Sequence, residues 1–292
     1  MDIPTLPLRD GNSIPLLAFG TGTAWFKEVG DVAFNQNLVD LTKAAIQKGF
    51  HHLDCAEMYG TEEEVGIAIK ESGVPREQLF ITNKVAQGID DIPAAIDKSL
   101  RKMHIEYYDM YLIHIPFFAK SEADFQRAWK SMEAIQLSGK ARSIGVSNYL
   151  RPDVEATLRG AKIPPALNQI EFHAYLQRGN DYVPWLLQNG IQVGSFKGLT
   201  PAFRAPDGPL REPLARIAKA HDTTEAAVLI RWIIQNNIIA VTTATKVERL
   251  NEYAEALKIH LTQEEVQEIT DIGATYHFRT SWPEHFKEDD RS

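Results

Sequence analysis

The chain has 292 residues, of which 31 are basic and 39 acidic, for a formal net charge of −8. With 44% hydrophobic and 24% charged residues it has the balance of a globular protein, which excludes disorder as its main state and permits a large core. The acidic balance argues against a nucleic-acid partner, whose binding face is ordinarily basic.

Met1-Asp2-Ile3-Pro4 has no positive stretch followed by an apolar one, so no secretory leader is expected. The pattern then reads as a hairpin: Leu6–Leu8, a turn at Asp10-Gly11-Asn12, and Ile14–Leu16. Short apolar runs follow at Leu16–Phe19, His51–Asp54, Leu79–Asn83 and Tyr108–Ile113, then at Arg142–Val146, Ala166–Ile170, Ile191–Phe196 and Ile238–Val241. Helical patterns alternate with them at Gln36–Lys48, Thr61–Glu71, Ile92–Lys102, Glu122–Leu137, Pro152–Arg159, Tyr182–Gln188, Thr224–Gln235 and Val247–Leu257. In the fourth of these, Phe125, Ala128, Trp129, Met132 and Ile135 recur at the helical period. Thr262-x-x-Glu265 reads as a capping box that opens one more helix. The single cysteine, Cys55, permits neither an internal disulfide nor a cysteine-built zinc site, as expected of a reducing compartment. No apolar run approaches the ~20 residues that span a bilayer, so a cytoplasmic protein without membrane contact is expected.

Eight strand–helix units imply a parallel sheet with helical crossovers, and eight is the number that closes a barrel. An open doubly wound sheet is the rival, but it would carry a Gly-x-Gly-x-x-Gly turn after a strand, and none occurs. There is no Gly-x4-Gly-Lys-Ser/Thr phosphate loop either. The expected fold is α/β, a (β/α)8 TIM barrel with an N-terminal β-hairpin, with residues 1–292 forming one domain. The segment Thr275–Ser292, with Tyr276, Phe278, Trp282 and Phe286, is read as a C-terminal loop over the active-site mouth, the alternative being a surface tail.

In such a barrel the chemistry sits at the C-terminal strand ends. Those ends carry Asp54 with Tyr59 five residues on, Lys84, His114, Ser147-Asn148, and Asn168-Gln169 with Glu171. Singly, each has an ordinary explanation: a solvated lysine, a hydrogen-bonded core histidine, an aspartate capping the next helix. Together they place a phenol, an ammonium, a carboxylate and an imidazole on one rim, a set able to donate a proton. A free tyrosine has a pKa of about 10; a lysine cation beside it favours the phenolate, and a buried aspartate holds that lysine charged. A neutral histidine can orient a substrate oxygen.

These motifs resemble the aldo-keto reductases over essentially the whole length. The carriers are Gly20-Thr21-Gly22-Thr23, His52-Leu53-Asp54-x4-Tyr59-Gly60, Thr82-Asn83-Lys84, Leu112-Ile113-His114, Ile144-Gly145-Val146-Ser147-Asn148 and Asn168-Gln169-Ile170-Glu171-Phe172-His173. Leu199-Thr200-Pro201 and Val241-Thr242-Thr243 resemble the fungal ketone-reducing members. The resemblance implies an NADPH-dependent (NADP+) carbonyl reductase with Tyr59 as general acid, Asp54 and Lys84 tuning it, and His114 orienting the carbonyl.

It further implies that Ser147, Asn148 and Gln169 hold the nicotinamide carboxamide, that Phe196 stacks on the ring, and that Gly22, Thr23 and Leu199 line the cofactor channel. Lys197 is either a pyrophosphate contact or a solvated loop lysine. Thr243, Thr245, Lys246 and Arg249 are read as the 2′-phosphate loop, the alternative being that Lys246 and Arg249 pair with Glu248 or Glu252. Trp25, Ile115, Phe117, Phe118 and Trp282 are the expected substrate pocket. Its apolar character, with Ile115 where sugar-reducing members carry Trp, favours bulky ketones over sugars.

Other readings stand beside this one. A family member that binds the cofactor without turnover, as a sensor or accessory subunit, has the same fold. A metal-dependent hydrolase built on His51, His52 and Asp54 is disfavoured because successive strand residues face opposite sides, so no metal is expected. The expected assembly is a monomer or homodimer with a small-molecule carbonyl substrate.

Overall fold

The computed structural model describes residues 1–28 and 33–292. The hairpin forms from β1 (Thr5–Pro7) and β2 (Ser13–Pro15), antiparallel with Leu6 opposite Ile14. Its turn uses Gly11 at φ +88°, a conformation open to glycine at no steric cost. Ile14 is fully buried, so the hairpin belongs to the core.

Eight parallel strands then close a barrel: β3 (Leu17–Gly20), β4 (His52–Asp54), β5 (Phe80–Val85), β6 (Tyr108–Ile113), β7 (Ala141–Ser147), β8 (Leu167–Glu171), β9 (Gln192–Phe196) and β10 (Ile239–Thr242). Closure comes from β10 pairing with β3, with Ala240 opposite Leu17 and Val241 opposite Ala18. Each expected strand overlaps its observed counterpart, and the α/β barrel expectation holds. Every residue of β5 and β6 is buried, as parallel strands covered on both faces require.

The helices fall where the apolar periodicity places them: α1 (Gln36–Gln47), α2 (Glu62–Ser72), α3 (Ile92–Met103), α4 (Glu122–Leu137), α5 (Arg151–Gly160) and α6 (Tyr182–Gln188). Further along come α7 (Thr200–Phe203), α8 (Arg211–Ala220), α9 (Glu225–Gln235), α10 (Val247–Glu255) and α11 (Gln263–Ala274). The Thr262–Glu265 capping box is present in both directions. Helices α7 and α8 are absent from the sequence reading. In α8, Pro213 lies in the first turn, where a missing N–H costs nothing, and Leu214, Ile217 and Ala218 bury the inner face. Among the described residues, no helix is long and apolar enough to cross a membrane.

His52 on β4 shows how the barrel handles a buried polar group. The ring is 1% exposed; Nδ1 lies 3.0 Å from the Pro15 carbonyl oxygen and Nε2 3.0 Å from Thr82 Oγ1. The carbonyl can only accept, so the proton sits on Nδ1 and Nε2 accepts from the threonine. Burial holds the imidazole neutral and lowers its pKa to about 4. The unfolded chain therefore binds a proton below the ordinary histidine value of about 6.5 that the folded chain refuses. His52 contributes stability fully present above that value and lost as pH falls towards 4. Urea midpoints are expected to drop between pH 7 and pH 4.5, with a shallower slope in His52→Gln; equal slopes in both proteins would assign the acid sensitivity elsewhere.

Candidate active site

At the C-terminal ends of the strands lies a cavity of about 660 Å³, lined by residues from the loops after β3, β4, β6, β7, β9 and β10, by Gln169 of β8 and by the C-terminal tail. On its floor Lys84, from β5, is fully buried. Its ammonium donates to Asp54 Oδ1 at 2.6 Å and to the Cys55 carbonyl at 2.8 Å, and lies 3.5 Å from the Tyr59 hydroxyl. All three ammonium donors thus have partners. The second carboxylate oxygen of Asp54 accepts from Gln169 Nε2 at 2.6 Å. Burial disfavours the charged lysine, but Asp54 and Tyr59, with a smaller contribution from Cys55, together outweigh it and the Lys84 pKa is raised, so the ammonium stays charged.

Tyr59 reaches this floor from a tight turn, Glu57–Tyr59, ended by Gly60 at φ +70°. Glu57 ties the turn to the end of β5 by accepting from the Ala86 and Gly88 amides at 3.0 and 3.1 Å. A β-carbon on Gly22 would lie 2.7 Å from the Tyr59 ring, so this glycine makes room for the phenol. Lys84 favours the phenolate as expected, but it is not the largest influence on the phenol. Burial raises the pKa more than the lysine lowers it, and the hydroxyl remains a protonated acid. His114, with its ring centroid 5.5 Å from that of Tyr59, is driven neutral by burial and by the Lys84 charge. The four groups expected to act together are therefore brought together.

Beside them Asn148 adopts φ +59°, a region that asparagine tolerates, and turns its amide back into the site. Its Nδ2 donates to the His114 carbonyl at 2.9 Å and to Ser147 Oγ at 3.1 Å. Ser147 is buried behind it, donating to the Gln169 carbonyl at 2.7 Å. Gly22, Thr23, Asn148, Gln169, Phe196, Lys197, Leu199 and Thr243 all line the cavity. Lys197, at φ +60°, brings its ammonium 3.5 Å from Thr23 Oγ1 across the mouth. Burial, and then Arg204, lowers the Lys197 pKa.

The other expected residues lie elsewhere. Thr245, Lys246 and Arg249 are outside the lining; Arg249 pairs with Glu252 at 2.5 Å and lies 5.1 Å from the Phe203 ring centre. Of the five expected pocket residues, only Trp282 lines the cavity, which corrects the placement of the other four. Trp25 donates its indole N–H to the Ala244 carbonyl at 2.9 Å and packs on the core. Phe118 turns onto Phe125, Phe117 lies behind Trp282 stacked on His285, and Ile115 does not reach the cavity. The apolar wall is built instead by Phe26, Met58, Phe203 and Trp282. Arg204 and Tyr253 are further lining residues absent from the sequence reading. Nothing local in the sequence distinguishes Phe26 from its neighbour Trp25.

The model of the aldo/keto reductase family matches residues 17–274, the span that carries the whole barrel and all of the cavity lining but Ser281 and Trp282. The chain belongs to that family. Among similar proteins, an NAD/NADP-dependent indole-3-acetaldehyde reductase of Schizosaccharomyces pombe is 39% identical over 274 residues, covering 92% of this chain and 95% of that one. An NADPH-dependent alpha-keto amide reductase of Saccharomyces cerevisiae is 36% identical over 279 residues, covering 91% and 89%. The crystal structure of a Bombyx mori aldo-keto reductase in complex with NADP superposes with a TM-score of 0.82 at 29% identity, covering 93% of each chain.

In this aldo-keto reductase the Lys84–Asp54 pair is buried beneath Tyr59, with Lys84 fully buried and Asp54 reaching the cavity surface. Breaking such a buried pair by removing one partner typically costs about 3–5 kcal/mol, because the other charge is left without its counterion. Lys84→Met is expected to lower the urea midpoint accordingly, and the Lys84→Met, Asp54→Asn double substitution to regain part of the loss. A double variant no more stable than the single one would show that the pair is not what holds the floor.

Proposed function

We propose that this protein is an NADPH-dependent carbonyl reductase in which Tyr59 protonates the oxygen of a ketone or aldehyde as it becomes an alcohol. The observation that carries the reading is the set on the cavity floor: a protonated phenol 3.5 Å from a charged lysine, with a neutral imidazole against it. As negative charge grows on the substrate oxygen, the Tyr59 proton moves to it. The phenolate left behind is stabilised by Lys84, which Asp54 holds in place. His114, unable to carry a charge here, is suited to hydrogen-bond the carbonyl oxygen and fix its direction.

The residues fit a nicotinamide dinucleotide. Asn148 and Gln169 offer amide groups at the cavity floor, Phe196 offers a ring face, and Lys197 and Arg204 put two cations at the mouth. Two neighbouring cations, one half-buried, suit an anionic ligand between them. The reduced nicotinamide supplies the hydride when bound. In this reading Asn148, Gln169 and Ser147 position the carboxamide, Phe196 packs on the ring, and Gly22, Thr23 and Leu199 shape the channel. Lys197 and Arg204 face the phosphates, while Thr243, Thr245, Lys246 and Arg249 form the 2′-phosphate end. The wall of Phe26, Met58, Phe203 and Trp282 supports apolar carbonyl substrates over open-chain sugars, since such a wall binds by burial and leaves sugar hydroxyls without partners. The names of the two fungal relatives, which act on an indole acetaldehyde and on keto amides, accord with this.

Tyr59→Phe is expected to lower kcat by roughly 10²–10⁴ while NADPH binding, followed by fluorescence titration, is retained. Near-normal turnover would remove Tyr59 from the mechanism, and no turnover of any aryl aldehyde or keto amide by the unmodified protein would favour a cofactor-binding accessory role.

The Arg249–Glu252 pair generates a second test. A guanidinium shared with a carboxylate has less to offer a 2′-phosphate. Glu252→Gln is expected to strengthen NADPH binding by up to roughly tenfold with little effect on NADH, and Arg249→Ala to weaken NADPH selectively. Parallel changes for both cofactors would make the pair purely structural.

A further inference from the structure

The C-terminal tail forms one wall of the cavity through Ser281 and Trp282, yet it belongs to no strand or helix of the barrel. Its attachment is a buried carboxylate. Glu171 ends β8 and is 2% exposed. Its Oε1 accepts from the Thr280 amide at 2.8 Å and the Thr280 hydroxyl at 2.7 Å, and its Oε2 accepts from the Ser281 amide at 2.8 Å. His173 Nε2 lies 3.3 Å from Oε1 on the barrel side.

Burial alone would raise the pKa of this carboxyl; the bonds from His173 and Thr280 outweigh it and hold it at about 2. A full negative charge is thus fixed beneath two consecutive amides of the tail. Beyond this point the tail folds on itself: Arg279 covers the Phe286 ring at 3.8 Å and donates to the Asp290 and Ser292 carbonyls.

The residue after the anchored pair is Trp282, at φ +61°, a left-handed conformation that bulky side chains rarely adopt and that persists only where the surroundings impose it. On one side it is held by the bonds at Glu171. On the other, its indole N–H donates to Asn148 Oδ1 at 3.1 Å and its ring meets the edge of Phe117. Asn148 in turn donates to the His114 carbonyl at 2.9 Å. A chain of direct contacts therefore runs from Glu171 through the tail to the residue beside the catalytic histidine.

We infer that Glu171 is a positioning residue that fixes residues 280–282 as a wall of the cavity and thereby sets which carbonyl compounds reach Tyr59 and His114. The substrate half of this inference rests on the reductase reading; the structural half does not. The substitution that tests both is Glu171→Gln, which keeps the shape but has one acceptor oxygen where three tail donors need two. Hydrogen bonds to charged groups contribute enough that losing one corresponds to roughly a 10-fold change or more in the local equilibrium.

Amide hydrogen exchange at Thr280 and Ser281 is expected to quicken by about that factor while the barrel strands keep their protection. In kinetics, KM for a bulky aryl ketone should rise severalfold, with kcat for a small aldehyde within about twofold of the unmodified protein. Thr280→Val, which removes one donor and leaves the carboxylate, should move both readouts in the same direction by less. Unchanged exchange in Glu171→Gln, or faster exchange with an unaltered ratio of bulky to small substrate, overturns the inference. Should the unmodified protein reduce neither compound, the reductase reading fails and exchange alone judges the anchor.

Discussion

A lysine and an aspartate buried at the bottom of a cavity constrain most of what surrounds them. An ammonium without a counterion there would cost several kcal/mol, so its three donors need three acceptors with defined positions. Asp54, the Cys55 carbonyl and the Tyr59 hydroxyl fill those positions, which fixes how β4 lies beside β5 and where the turn after β4 goes. The glycine at position 22 and the glutamate at 57 follow from that requirement: one clears space for the phenol, the other pins its turn. Gln169, from the other side of the barrel, completes the aspartate. Stability and reactivity share one ion pair.

The strand ends are legible in the sequence because a polar residue that closes a short apolar run stands out against it. Asp54 and His114 are of this kind, Lys84 and Gln169 are polar residues within buried strands, and the barrel delivers all four to one place. The walls are not legible, because loop directions are decided by tertiary contacts. Trp25 and Phe26 are neighbours of similar character; the indole N–H finds the Ala244 carbonyl, and Phe26 is left facing the cavity. Phe117 and Phe118 likewise divide between the tail and the core according to packing that no local pattern encodes.

The sign of the Tyr59 shift was hidden for a related reason. A sequence shows which charges are near a phenol but not how much water has been removed from it, and here dehydration is the larger effect. A group kept protonated by burial is a ready acid, and the lysine beside it has its greatest effect only after the proton has left. Helix α8 opens without a side-chain cap, so no local signal in the sequence marks its start.

The apolar wall has one further consequence. Phe26, Met58, Phe203 and Trp282 come from four separate connections, none of them from a barrel strand, whereas the Asp54 and Lys84 side chains project from strands whose hydrogen bonds close the fold. A substitution in one of these connections therefore leaves the hydrogen bonds that close the barrel in place. The Asp54–Lys84 support is thus held by barrel strands, and the apolar wall by the segments between and after them.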